Sequence, residues 1–324
     1  MSETTERRTL VTGGAGFIGS HLVDALLTRG EQVICLDNFD DYYSPERKRR
    51  NAAHHAQHDR YVLVEGDIRD RATIDAIFEE YQPQRVAHLA AMAGVRASIE
   101  RAPLYTEVNV NGTINVFEAA RQHEVENLVL ASTSSVYGRT EQTPFLEDQS
   151  TDGALAPYPA TKKACEVMAH AYHNMFGMNI TALRFFTVYG PRVRSDMMAY
   201  IVMDRILRGE TIRLFNGGEM HRDWTFVADI TNGVVAALDK PLGFEIMNIG
   251  RGQPVRLGDF VEIIEELVGK NAVIDEVPAP ASEPPITYAN VDKARRLLGY
   301  EPQVSIQDGL LETWNWFKDE IAAP

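Results

Sequence analysis

Tyr158 and Lys162 stand four residues apart in the run Tyr158-Pro159-Ala160-Thr161-Lys162, a spacing that puts both side chains on one face of a helix. A phenol and an ammonium so placed make a candidate general base. Free tyrosine titrates near pH ~10, and a neighbouring cation favours its phenolate and lowers that value. The spacing alone is unspecific, so the surrounding chain must supply the context.

Part of that context is Thr12-Gly13-Gly14-Ala15-Gly16-Phe17-Ile18-Gly19, which follows an apolar run and opens an amphipathic one. It reads both as Gly14-x-Gly16-x-x-Gly19 and as Gly13-x-x-Gly16-x-x-Gly19. Glycines let the backbone approach a pyrophosphate, and a helix N-terminus favours its charge. Asp37, just past the next apolar run, is placed to accept hydrogen bonds from an adenosine ribose and would repel a 2′-phosphate. The dinucleotide expected is NAD rather than NADP.

The elements that must position these residues alternate short apolar runs with longer amphipathic ones, the pattern of βα units building a parallel sheet. Strands are expected at 9–12, 32–36, 61–64, 85–89, 128–132 and 179–184, with helices at 17–29, 71–81, 103–122 and 159–176. Pro103 and Pro159 suit a first helical turn, where the missing N–H is not needed. Beyond residue 184 loops lengthen, around Gly217-Gly218 and 278–285, and short strands mix with helices such as 257–268. The expected architecture is α/β: a doubly wound dinucleotide-binding domain over 1–184, to which segments near 225–250 return, and a smaller mixed α/β substrate lobe, mainly 185–324.

A chain of 324 residues, 44% hydrophobic and 24% charged, can fill two such lobes. No apolar run reaches transmembrane length, and the polar opening, Met1 to Arg8, has no apolar signal segment, so a cytoplasmic protein without membrane contact is expected. Cys35 and Cys165 read as reduced, inert thiols. The net charge of −14 argues against nucleic acid as a partner. His54, His55 and His58 read as a solvated helix near a basic run rather than a metal site.

The glycine loop together with Tyr158-x-x-x-Lys162 resembles the extended short-chain dehydrogenase/reductase family, and so do Asp67-Ile68, Leu89-Ala90-Ala91, Asn109-Val110-Asn111-Gly112-Thr113, Ser132-Thr133-Ser134-Ser135-Val136-Tyr137-Gly138, Arg184-Phe185-Phe186-Thr187-Val188-Tyr189-Gly190-Pro191 and Arg222-Asp223-Trp224. The resemblance implies a Rossmann-type fold and a nucleotide-diphosphate sugar as substrate. By it, Asp67 reaches the adenine, residues 89–91 line the cofactor, Thr133 assists the tyrosine, Lys162 also holds the nicotinamide ribose and Arg222 binds the sugar-nucleotide pyrophosphate. The cofactor-binding set expected is Gly13, Gly16, Phe17, Ile18, Gly19, Asp37, Asn38, Asp67, Ile68, Leu89, Ala90, Ala91, Asn109, Ser132, Tyr158 and Lys162. Substrate contacts are expected from Thr133, Ser134, Ser135, Thr187, Arg194, Arg213, Arg222 and Arg96. Helices 103–122 and 159–176 pair across a homodimer in similar proteins.

Members of this family share a first step, hydride removal from a sugar carbon to NAD while the tyrosine takes the hydroxyl proton. Dehydratases then use an Asp-Glu pair just before the Val-Tyr-Gly segment, because elimination needs a further acid and base; Ser134 and Ser135 stand there in this chain. Nucleotide-glucuronate decarboxylases usually carry glutamate at the position of Ser135. An epimerase needs neither group. Asp37-Asn38-Phe39-Asp40-Asp41-Tyr42-Tyr43, with Arg47-Lys48-Arg49-Arg50 after it, and Phe185-Phe186-Thr187 resemble the UDP-glucuronate 4-epimerase group. UDP-galactose epimerases typically have asparagine at the position of Thr187. Hydroxyls from Thr133, Ser134, Ser135 and Thr187, with Arg194, suit a uronate carboxylate. Two departures from the family pattern are Arg192-Val193-Arg194-Ser195-Asp196, which lacks a common tryptophan or proline, and Ser282-Glu283-Pro284, which replaces a Gly-Asp pair. The alternatives are a UDP-galactose/UDP-glucose 4-epimerase, a UDP-glucuronate decarboxylase and a noncatalytic NAD-sensing protein.

Overall fold

A computed structural model describes residues 7–140, 142–280 and 283–322. Met1 to Glu6 of the polar opening and Ser282 lie outside the described residues. The strands in chain order are β1 (Arg8–Thr12), β2 (Gln32–Asp37), β3 (Tyr61–Glu65), β4 (Arg85–His88), β5 (Asn127–Thr133), β6 (Ile180–Phe185), β7 (Thr187–Tyr189), β8 (Thr211–Phe215), β9 (His221–Phe226), β10 (Phe244–Ile249), β11 (Pro254–Arg256), β12 (Val273–Val277) and β13 (Ile286–Thr287). The described residues fall into two compact units, one within 7–138 with 150–184 and 231–247, the other within 139–149, 185–230 and 248–322.

The first unit holds a seven-stranded sheet in the order β10-β6-β5-β4-β1-β2-β3. The pairings from β5 through β4, β1 and β2 to β3 are parallel. β4 and β5 are buried along their whole length, as strands covered on both faces by crossover helices must be. The chain is therefore a doubly wound, Rossmann-type α/β protein, as expected from its βα rhythm. β1 and β4 are neighbours but not consecutive, so strand order reverses there and opens a crevice at their carboxyl ends. The core on one side joins Leu10, Ile34, Val86, Leu128 and Leu130 of the sheet to Phe78, Phe117 and Tyr172 of the helices Arg71–Tyr81, Gly112–Gln122 and Pro157–Phe176.

Three helical expectations change. The single helix expected at 103–122 is divided into Ala102–Tyr105, a π-helical stretch Thr106–Asn111 and Gly112–Gln122. The wider turn seats Asn109, fully buried, against the backbone of Met92. The helix expected to open at Pro159 starts two residues earlier, with Pro157 in its first turn, and closes at Gly177 (φ 70°). The helix near the histidines spans Pro45–Ala53 and ends before them.

In the second unit β9 is the hub: β11 pairs with it antiparallel, β13 and β7 parallel. β8 and β12 form a separate parallel pair. Asp223 on β9 is fully buried and accepts from the N–H groups of Arg251, Gly252 and Ala289 and from Thr225 Oγ1, at 2.8–3.1 Å. Among the described residues no helix is long and apolar enough to cross a membrane.

Candidate active site

The glycine loop follows β1. Gly13 adopts φ 70°, and a Cβ there would meet the backbone nitrogen of Ala90 at 2.8 Å. A Cβ on Gly19 would lie 2.0 Å from the carbonyl oxygen of Gly13, so only glycine lets the helix Phe17–Thr28 start this close to the loop. Gly16 caps that helix without a side chain, and no side chain satisfies its first N–H groups, which leaves Phe17 and Ile18 presenting donors at the positive end of the helix. Leu89 N–H reaches Thr12 O (3.1 Å) and Ala90 N–H reaches Thr12 Oγ1 (3.2 Å), which brings residues 89–91 beside the loop at the crevice. Cradle, uncapped donors and close backbone approach fit a dinucleotide diphosphate.

Asp37 ends β2 and is 7% exposed. Its Oδ2 accepts from Ala15 N–H (3.1 Å) and its Oδ1 from Phe39 N–H (2.9 Å). Burial raises its carboxyl above the ordinary range, against the pull of those donors and of Lys48. Asp67 is the opposite case. Burial works to raise it too, but Arg69, bidentate at 2.7–3.0 Å, and Asn38 at 2.9 Å hold it at about 2. Ile68 lies under Gly112, whose absent Cβ would stand 2.6 Å from Ile68 Cδ1.

The chemical groups converge at the carboxyl end of β5. Lys162, 3% exposed, donates from Nζ to Ala131 O at 2.8 Å, two residues before Thr133 on the same strand. Burial lowers its affinity for the proton, with Cys165 and Glu166 acting the other way. Tyr158 sits one helical turn earlier, its ring edge-on to Tyr105 with centroids 6.3 Å apart. Asn109 Nδ2 donates to Thr161 Oγ1 (3.0 Å), and Thr161 Oγ1 donates to Tyr158 O (2.8 Å). Asn109 therefore positions the tyrosine-bearing turn through its side-chain amide. Thr133 Oγ1 accepts from Ser135 N–H at 3.1 Å and so caps the short 3-10 turn Ser134–Tyr137, which carries both serines.

Several residues that matter here escaped the sequence reading. Glu166, 1% exposed, accepts from Ser132 Oγ (2.6 Å) and forms a two-point pair with Arg184 (2.8 and 2.9 Å). Arg184 in turn lies 4.7 Å from the centroid of Tyr137, the last residue of the serine turn. Ser132, expected to touch cofactor, spends its proton on Glu166. The signal for Glu166 was its place four residues after Lys162. His88 is buried between Thr12 Oγ1 (2.7 Å) and Thr113 Oγ1 (2.9 Å), and burial, with the charge of Lys162, lowers its pKa to about 3. Cys35 and Cys165 are free, buried thiols; burial pushes Cys35 up to about 12 and also raises Cys165.

The arginines divide. Arg96 and Arg213 are exposed. Arg194 makes a two-point pair with Asp196, both contacts 2.9 Å. Arg222 on β9 is 12% exposed and donates to Glu283 Oε2 (3.0 Å) and His221 O (2.8 Å). Burial lowers its pKa and Glu283 opposes the shift. Thr187 opens β7 in register with Trp224. Of the histidines, His55 binds Asp24 (2.5 Å), and no group of three potential metal ligands gathers among the described residues.

A switch-point crevice with a glycine cradle, and a Tyr-x-x-x-Lys helix against a strand ending in Thr133, define a nucleotide-dependent short-chain dehydrogenase/reductase. Residues 10–313 match the family described as GDP-mannose 4,6 dehydratase, and the chain belongs to that family. It is 40% identical over 313 residues to a UDP-glucuronate 4-epimerase of Thermodesulfobacterium geofontis, covering 96% of each chain. Among solved structures it resembles the UDP-glucuronic acid 4-epimerase of Bacillus cereus in complex with UDP-glucuronic acid and NAD, with TM-score 0.91, 34% identity and coverage of 97% and 99%. It also resembles a Thermus thermophilus UDP-glucose 4-epimerase in complex with NAD, with TM-score 0.86, 32% identity and coverage of 96% and 99%.

Proposed function

We propose that the protein is an NAD-dependent 4-epimerase that interconverts UDP-glucuronate and UDP-galacturonate through a transient 4-keto sugar, without loss of CO2. One observation carries this reading: β5, whose Ala131 O accepts from Lys162 Nζ, ends at Thr133 and continues into Ser134 and Ser135, which offer hydroxyls and no second carboxyl acid or base. The names of the 40%- and 34%-identical relatives support the uronate.

Gly13, Gly16 and Gly19 with the N–H groups of Phe17 and Ile18 hold the dinucleotide diphosphate, and Asp37 the adenosine ribose. NAD held there would supply a hydride acceptor for sugar C4. Tyr158 takes the C4 hydroxyl proton and gives it back. Lys162, a cation on the same helical face, favours the phenolate, and Thr133 orients the hydroxyl that reacts. Arg222 takes the diphosphate of the sugar nucleotide, exchanging Glu283 for it. A 4-ketouronate is a β-keto acid, and it loses CO2 most readily when its carboxylate bond aligns with the ketone. The hydroxyls of Thr133, Ser134 and Ser135 hold the carboxylate out of that alignment.

Incubation with UDP-glucuronate, chromatography of the products and a CO2 trap test the reading. UDP-galacturonate without CO2 is the expected result, whereas UDP-xylose, or turnover of UDP-glucose alone, overturns it. The same reading includes a cytoplasmic homodimer. Free thiols suit a reducing compartment, and the exposed apolar residues Val167 (56%) and Met175 (68%) on the helix Pro157–Phe176 suit a paired helical face.

A further inference from the structure

The glycine loop is braced by the segment that follows Asp37 and Asn38. Beyond Asp37 the chain turns through Phe39 (φ 51°) into the helix Pro45–Ala53, capped by Ser44. Ala15 of the loop, Phe39 and Ala52 of this helix are buried as one small apolar cluster. Asn51 Nδ2 donates to Ala15 O at 3.0 Å. A carbonyl oxygen only accepts, so the amide must face the loop with its nitrogen. Ala15 N–H is tied to Asp37 Oδ2 at 3.1 Å, so the peptide units on both sides of Ala15 are fixed, one by a carboxylate and one by an amide. The brace is itself held: Lys48 Nζ donates to Asp40 O (2.6 Å) and stands 4.4 Å from the centroid of Tyr43. The Tyr43 hydroxyl lies 3.6 Å from where a Gly16 Cβ would be.

We infer that Asn51 is a positioning residue for the cofactor diphosphate: by fixing the Ala15 carbonyl it keeps the loop and the first turn of the following helix in their donor geometry, and thereby sets how slowly bound NAD leaves. The inference rests on the NAD reading proposed above. Rigid pre-organisation of a binding loop acts mainly on dissociation.

The test uses NAD-loaded protein diluted into excess alcohol dehydrogenase and ethanol, which trap released NAD as NADH and report its release by absorbance. Asn51→Ala deletes the donor, and Asn51→Asp keeps the shape while setting an acceptor against the Ala15 carbonyl. Both are expected to release NAD about twofold to tenfold faster, the change that loss of one hydrogen bond produces. Unchanged release from both variants, even with a lowered melting temperature, overturns the role of Asn51 and leaves the cofactor reading standing. A wild-type protein that carries no NAD and takes up none overturns both.

Discussion

Tyr158 and Lys162 stand out in the sequence because four residues along a helix put both on one face, whereas Thr133 stands out only by the family resemblance of the residues around it. Replacing Tyr158 by Phe keeps the ring that meets Tyr105 and removes only the proton carrier. The expected outcome is a fall in kcat of about 10²–10⁴-fold with NAD content unchanged, read by turnover assay and by absorbance of the extracted cofactor. His88 was not legible, since nothing in its neighbours shows that Thr12 and Thr113 enclose it from separate elements. Its folded pKa of about 3 lies below the ordinary 6.5. The unfolded chain therefore binds the proton first as pH falls. The stability tied to neutral His88 is complete above about 6.5 and is lost as pH drops through the folded value. Between pH ~6.5 and ~5 the wild type should lose roughly 2 kcal/mol more than His88→Gln, measured by urea unfolding at each pH.

Among elements, those with a strong period were legible and those defined by partners were not. The glycine loop announces itself because its backbone has no room for side chains, as the 2.0 Å approach at Gly19 shows. The π-helical stretch Thr106–Asn111 has no such mark; it follows from Asn109 turning inward to Met92 and Thr161. The Glu166–Arg184 pair joins the helix Pro157–Phe176 to β6, and through Tyr137 it supports the serine turn. Sequence shows both residues but not that each is the other's partner. Arg184→Met leaves a buried carboxylate that keeps Ser132, Lys163 at 3.6 Å and the charge of Lys162 but loses its two-point partner. Loss of about 3–5 kcal/mol is expected in urea unfolding, with most of it recovered in the Glu166→Leu, Arg184→Met double variant. A single variant as stable as wild type would show that the pair does not brace these elements.

For the whole molecule, the alternating apolar rhythm was enough to read the doubly wound sheet, because each βα unit obeys the same handed connection. The return of a segment near 225–250 was expected from the sequence, but the place of β10 beside β6 was not, since sheet order is a long-range property. The arginines show the same limit: Arg194 and Arg222 were visible as charges, but their carboxylate partners, Asp196 and Glu283, emerge only from folded loops. The central claim is that one hydride leaves C4 and returns to C4 on the other face, with Tyr158 carrying only the hydroxyl proton. Turnover of UDP-glucuronate in D2O, followed by mass spectrometry and NMR of the isolated nucleotide sugar, tests it most directly. The account predicts UDP-galacturonate with no carbon-bound deuterium; deuterium at C4 or C5 would contradict it.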